Sequence, residues 1–340
     1  MLSRDADACY WIGRFVERAE ATSRMVDVHY HTALETFLPY AADAPIESDD
    51  IATLGWQPIL AISGNAADYH ERYGKENDRD ILYFFAFDYD NPDSIISVWT
   101  KARENARSVR ELISSEMWES INISYLDLRS WDVDQVLQKS PHQFFHHLRN
   151  ASHLFQGILN RTMMMGEERD WLDTGRFLER ACQTARLLDV KYHNLLPGTL
   201  HQSEEPGVSY LDDPYGIGGP LDVHGWTAVL KSVSAFEMFC KTHRDGINPS
   251  NVVDFLVLNA QFPASVRHGI IRVEGCLRRI AGTAPNAPVN EPERIIGRLR
   301  ADLTYTSPSE IIGQGLHGYL QRVLVQCNAI GDAIGRCYLS

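Results

Sequence analysis

The chain lacks most of the signatures that announce a chemistry. Its six cysteines (Cys9, Cys182, Cys240, Cys276, Cys327 and Cys337) are scattered, without the C-x-x-C pairs that mark zinc or redox sites, so reduced thiols are expected. No apolar run approaches the roughly 18 residues of a membrane span. The longest, ILYFFAF from Ile81, has seven residues. The N-terminal stretch MLSRDADACYWIGRF contains Asp5 and Asp7 and no unbroken apolar segment, unlike a signal peptide. Together these absences point to the cytoplasm and away from a membrane. Basic charge is in short supply: 32 Lys and Arg against 45 Asp and Glu leave a net charge of -13, which repels a phosphate backbone and argues against a nucleic-acid partner. There is no phosphate-binding loop, no G-x-G-x-x-G and no G-x-S-x-G, so neither a nucleotide cofactor nor any other is implied. The glycine-rich YGIGGP from Tyr215 follows no strand and reads as a loop. Alternating Val/Ile/Thr runs and Asn-Gly turns are scarce as well, which leaves an all-α fold.

What is present is a helix written twice. GRFVERAEATSRMVDVHYH begins at Gly13, and GRFLERACQTARLLDVKYH begins at Gly175, an offset of 162. The dipeptide Trp56-Gln57 and its surroundings resemble the segment at Trp226, and HQFFHHL from His142 resembles HGYLQRV from His317. NPDSI at Asn91 matches NPSNV at Asn248 with an offset of 157, which predicts an extra loop near YGKENDRD in the first half. The chain therefore reads as a helical bundle of two diverged, pseudo-twofold-related copies, Met1 to Thr162 and Met163 to Ser340, forming one compact unit. In the first copy Ile12, Phe15, Ala19, Val26 and Tyr30 make one apolar stripe, with Ser3 as N-cap. Asn91 and Asn248 are expected to cap helices whose first position is Pro92 or Pro249, and Ser307-Pro308 repeats the device. Long loops are expected after Phe37 and after Leu195.

Beside the apolar stripe runs a charged line. Gly13, Glu17, Glu20, Arg24, Asp27 and His31 alternate at four- and three-residue spacing, so they share one helix face next to the core. The second copy repeats Gly175, Glu179, Arg186, Asp189 and His193 but has Cys182 for Glu20. Three readings compete: ordinary i,i+4 surface pairs, a buried ion network joining the copies, or a polar pocket lined by both seams. The glycines suit close backbone approach. The two helices are expected to pack antiparallel or steeply crossed, with Glu17 near Arg186 and Glu179 near Arg24.

A second charged segment, ARENARSVRELISSEMWESIN from Ala102, places Arg103, Arg107 and Arg110 on one face and Glu104 on the next. If a pocket exists, Glu17 or Glu20 is the candidate general base, with Arg24 beside them. Arg14, Arg103, Glu104, Arg107, Arg110, Glu179 and Arg186 are the candidate substrate-binding groups, because arginine makes parallel bonds to a carboxylate. His142, His146 and His153 fall on one side of a helix, but no E-x-x-H accompanies them in the motif helices, so no metal is assigned.

The segments MLSRDADACYWIGRFVERAEATSRMVD, NPDSI with ARENARSVRELISSEMWESIN, and GLHGYLQRVLVQCNAIGDAIGRCYL resemble the bacterial alpha-E family over nearly the whole chain. The resemblance implies association with a circularly permuted ATP-grasp amide ligase and a transglutaminase-like peptidase, and hence peptide or amide-bond formation or modification. It carries Arg14, Glu17, Arg18, Glu20 and Arg24 over as motif positions, with Arg103, Glu104, Asn105, Arg107, Arg110, Glu116 and Trp118. The expected function is an accessory or partner protein of the ligase that binds a peptide or small carboxylate through the charged seam. The alternative is an enzyme acting on a peptide or amide, with a glutamate base and an arginine clamp.

Overall fold

The computed structural model describes residues 1–37, 56–195, 220–282 and 289–339. The segments expected as long loops after Phe37 and Leu195, and the glycine run at Tyr215, lie outside the described residues. Among the described residues sixteen α-helices follow one another: α1 (Ser3–Phe37), α2 (Gln57–Ser63), α3 (Ala66–Tyr73), α4 (Asp78–Ala86), α5 (Ile95–Ser108), α6 (Ser115–Leu128), α7 (Val133–Lys139) and α8 (Pro141–Thr162), then α9 (Glu167–Leu195), α10 (Pro220–Ser232), α11 (Phe236–Thr242), α12 (Pro249–Val253), α13 (Val266–Ala281), α14 (Glu291–Tyr305), α15 (Pro308–Gln314) and α16 (Leu316–Ile334). Short π-helical turns extend α12 and α16. Among the described residues there is no strand, and no helix is long and apolar enough to cross a membrane.

The two longest helices, α1 and α9, form the centre of the molecule. On α1 the apolar stripe faces inward as its spacing dictates: Ile12 and Val26 are fully buried, and Phe15 and Ala19 nearly so. Helix α1 carries α5 and α8 against its flanks and touches α10, while α9 carries α13 and α16 and touches α2. Helix starts follow local chemistry. Ser94, Ser114, Asp132 and Ser140 each accept a backbone N–H from the first turn of the helix they cap, and Asn290 and Ser307 complete capping boxes with Glu293 and Glu310.

Three local expectations change. Ser3 lies inside the first turn of α1, because the carbonyl of Leu2 already accepts from the amides of Asp5 and Ala6. Asn248 does cap α12, with Pro249 at the first position, but Asn91 does not cap α5. Its side chain accepts from the Asp93 amide and donates to the Phe84 carbonyl, holding the turn that precedes the Ser94 cap. The helix that packs on α9 as α5 packs on α1 is α13, which begins after Ser265. Asn91-Pro92-Asp93-Ser94 thus stands where Phe262-Pro263-Ala264-Ser265 stands, not where Asn248 does. With that correspondence the stretch from Tyr73 is a plain connection between α3 and α4 and not an additional loop.

Candidate functional site

Glycine sets the distance between α1 and α9. A Cβ on Gly13 would sit 2.2 Å from the Leu172 carbonyl oxygen, and one on Gly175 would sit 2.0 Å from that of Tyr10. The two backbones are therefore in direct and reciprocal contact, which no larger residue permits. The helices run side by side in the same direction: Met1 lies against Glu167 at one end, Gly13 against Leu172 and Arg176 in the middle, and Met25 and Leu187 share a cavity wall further on. The antiparallel or steeply crossed arrangement is thereby corrected.

Parallel packing brings together partners that spacing along one helix does not foresee. Glu17 accepts from Arg180 Nε and Nη2 at 2.5 and 2.7 Å, and from Gln156 Nε2 at 3.3 Å. Glu179 accepts from Arg14 Nε at 2.5 Å, from Arg18 Nε at 2.8 Å and from Gln183 Nε2 at 2.8 Å. The pairings of Glu17 with Arg186 and of Glu179 with Arg24 do not occur. Arg24 lies on Glu20, and Arg186 lines a separate cavity. Glu179 is wholly buried; burial pushes its carboxyl up, but Arg14 and Arg18 outweigh that and hold it well below the usual carboxylate range. Arg176, which follows Gly175 as Arg14 follows Gly13, turns instead to Asp173 Oδ1 at 2.6 Å. Glu179 therefore has two guanidinium partners and Glu17 one.

Two cavities open against this seam. The first, about 320 Å³, has Glu17, Glu20, Arg24, His153 and Arg180 on its floor and Met25, Ile62, Leu187 and Phe262 among its walls. Glu20 is bound by Arg24 through Nε at 2.9 Å and through Nη2, and His153 Nε2 lies 3.7 Å from its Oε1. Burial raises the Glu20 carboxyl, yet His153 beside it and the Arg24 charge and hydrogen bonds bring it down to about 2. Arg24 and Arg180 each spend their Nε and Nη2 edge on a glutamate. Among the described residues neither Nη1 has an acceptor. The second cavity, about 450 Å³, is lined by Arg18, Arg186, Asp189, Asn91, Asp93 and Gln321.

The seam ends in a second set of links. Asp27, buried, receives Arg149 Nη1 on Oδ2 and lies 3.0 Å from His142 Nδ1, while Asp189, also buried, meets His317 Nδ1 at 2.7 Å and Gln321 Nε2 at 2.6 Å. Asp27 and Asp189 thus tie the motif helices to α8 and α16.

Other candidates lie elsewhere. Arg14 is in the seam but borders neither cavity, and Arg103, Glu104, Arg107 and Arg110 border neither. Arg103 stacks over Tyr125 at 4.8 Å and near Trp118, Arg110 lies over Trp118 at 4.9 Å, and Glu104 bridges Arg103 and Arg107. This is a ladder of guanidinium and aromatic groups on the outer side of α5 and α6. The histidine trio also separates: the rings of His142 and His146 lie 6.0 Å apart, but His153 turns to Glu20 in the first cavity. Sequence reasoning missed Arg180, Gln156 and His153 as cavity groups. The signal for Arg180 was the dipeptide Glu-Arg, present as Glu17-Arg18 and again as Glu179-Arg180.

The fold and the seam define an all-helical protein whose two Glu-Arg dipeptides pair across a parallel helix contact. The chain belongs to the Alpha-E family, described as a predicted alpha-helical domain with a conserved ER motif, whose family model matches residues 1–339. No curated protein and no solved structure matches the chain.

Proposed function

We propose that this chain is the cytoplasmic partner protein of an ATP-grasp amide ligase and its transglutaminase-like peptidase, and that it binds a peptide or small carboxylate in the first cavity. The observation that carries this reading is the cavity floor. Two guanidinium groups are fixed in place by glutamates, their Nη1 donors are unspent among the described residues, and apolar walls stand beside them. Such a floor suits a carboxylate with an apolar body, since the arginines are already oriented and lose little freedom on binding. A volume of about 320 Å³ is at the small end of ligand pockets, which fits one or two residues of a peptide.

The enzymatic alternative asks Glu17 or Glu20 to take a proton near neutrality. Glu20 is held at about 2, so it is disposed to hold a cation and not a proton, and both oxygens of Glu17 are already engaged by Arg180. That favours binding over catalysis.

We also infer that the two halves are diverged copies related by a pseudo-twofold axis running along α1 and α9. The reciprocal glycine contacts, the exchange of Glu17–Arg180 for Glu179–Arg18, and the links Asp27–His142 and Asp189–His317 all support it.

Calorimetric titration with short N-acylated peptides, together with copurification of the tagged chain and its ligase at low salt, tests the function. Arg24→Met should abolish peptide binding, whereas Arg107→Ala, outside the cavity, should leave it unchanged. Equal affinity in both variants, or no ligase recovered with the native chain, refutes the reading.

A further inference from the structure

One cluster lies outside both cavities and serves no role in the binding just described. Asp27 and His31 are one helical turn apart on α1, and α8 brings His142 to the same place. Asp27 Oδ1 lies 3.0 Å from His142 Nδ1 and 3.6 Å from His31 Nε2, and one donor atom from each of the three residues falls within 4.8 Å of the others. We propose that Asp27, His31 and His142 form a site for a late first-row divalent ion, zinc in the first place, with an open position for water or a further ligand.

The geometry is that of a site needing little rearrangement. A tetrahedral ion with bonds of about 2.0–2.2 Å holds its ligand atoms roughly 3.4 Å apart, a value the two measured separations from Oδ1 bracket. The two imidazole rings meet edge to face with centroids 5.0 Å apart, which keeps the third edge of the site short as well. Arg149 occupies Oδ2 of Asp27, which leaves Oδ1 as a single ligand and fixes its direction, as an outer hydrogen-bond partner of a metal ligand does. Exposure is graded to suit entry from solvent: the Asp27 side chain is 4% exposed, those of His31 and His142 47% and 49%. Two imidazoles and a carboxylate are borderline donors that favour zinc and its neighbours over magnesium or calcium.

A simple strut between α1 and α8 would require the Asp27–His142 contact alone. A second histidine four residues after the aspartate is what a metal adds. The sequence repeats all three elements as Asp189, His193 and His317, and Asp189 and His317 meet at 2.7 Å; the side chain of His193 lies outside the described residues.

The test uses the full, untagged chain stripped with chelator and titrated with cobalt(II), followed by absorption in the visible range, and with zinc, followed by melting temperature. Visible cobalt bands and a zinc-dependent rise in melting temperature are expected. The cobalt signal should fall by about half or more in His31→Gln and in His142→Gln, since each removes one of three ligands. Both side chains are half exposed, so these variants keep the fold, to be checked by circular dichroism without metal; Asp27→Asn is avoided because it would strand Arg149. Absence of bands and of a melting shift in the native chain, or a signal that neither variant reduces, overturns the proposal.

Discussion

Glu17 on α1 is held by Arg180 on α9 through two hydrogen bonds, at 2.5 and 2.7 Å, across 163 positions of sequence. The carboxylate side chain is 3% exposed and the guanidinium 18%. A pair so placed contributes little net stability over an apolar pair of the same shape, but removing one member leaves a buried charge without its partner.

Arg180→Met should therefore destabilise the chain by about 3–5 kcal/mol, and the double variant Glu17→Leu/Arg180→Met by markedly less. Urea unfolding of the two singles and the double closes the cycle. Strictly additive losses would mean that the two residues do not act as a pair.

Gly13→Ala and Gly175→Ala should each cost about 3 kcal/mol, at the upper end for an overpacked core, because backbone and not a flexible side chain meets the new methyl. Gly157→Ala, on α8 with nothing within 4 Å of its added Cβ, should instead be neutral or stabilising. Thermal melts of the three variants check this, and equal melting temperatures would contradict the close approach of α1 and α9.

Acid should weaken the protein through the seam. The Glu20 carboxyl is lowered from its ordinary 4.5 to about 2, and that of Glu179 is lowered as well. A carboxyl depressed in the folded state contributes stability that is complete above its unfolded value and fades as pH falls through the folded one. Between about pH 4.5 and 2 the Glu20 share, on the order of 3 kcal/mol, should be lost. In Glu20→Gln the stability curve should be flatter over that interval when unfolding is followed by fluorescence; an unchanged slope would show that Glu20 is not held down.

Thiol chemistry should divide the six cysteines. Cys240 and Cys337 are exposed, whereas Cys9, Cys182, Cys276 and Cys327 are buried, and burial pushes the Cys9 and Cys276 thiols up to about 12. A disulfide reagent at mild alkaline pH should label the exposed pair rapidly and the remainder only on unfolding. Peptide mapping that finds Cys9 or Cys276 labelled in the native chain would count against the packing described.

How much of this could be read from the sequence depends on the range of the interaction. The stripe Ile12, Phe15, Ala19 and Val26 was legible because helical period alone sets which face is buried. So was the burial of Glu17 and Asp27, which lie beside that stripe, and the close approach at Gly13 and Gly175. The partners were not legible. Arg18 stands one position off the line that joins Glu17, Glu20 and Arg24, as Arg180 stands one off Glu179, Cys182 and Arg186, and only the parallel direction of α1 and α9, a property of packing, turns them toward the opposite glutamate. Asn91 was misaligned for a related reason: NPSNV from Asn248 and FPASV from Phe262 each share two identities with NPDSI, so similarity alone did not choose between them.

The cross-paired seam also fixes a timetable for the growing chain. Glu17 emerges from the ribosome 163 residues before Arg180, and at about 5–20 residues per second the wait is roughly 10–30 s. Throughout that interval α1 has its buried carboxylate unanswered and its glycine groove empty. Early steps of folding must then be carried by what α1 finds close at hand in α5 and α8, with α9 docking afterwards into a groove already shaped and α13 and α16 closing on α9 in turn, and a pause in synthesis before α9 is the moment at which this chain is most open to mispairing with another copy of itself.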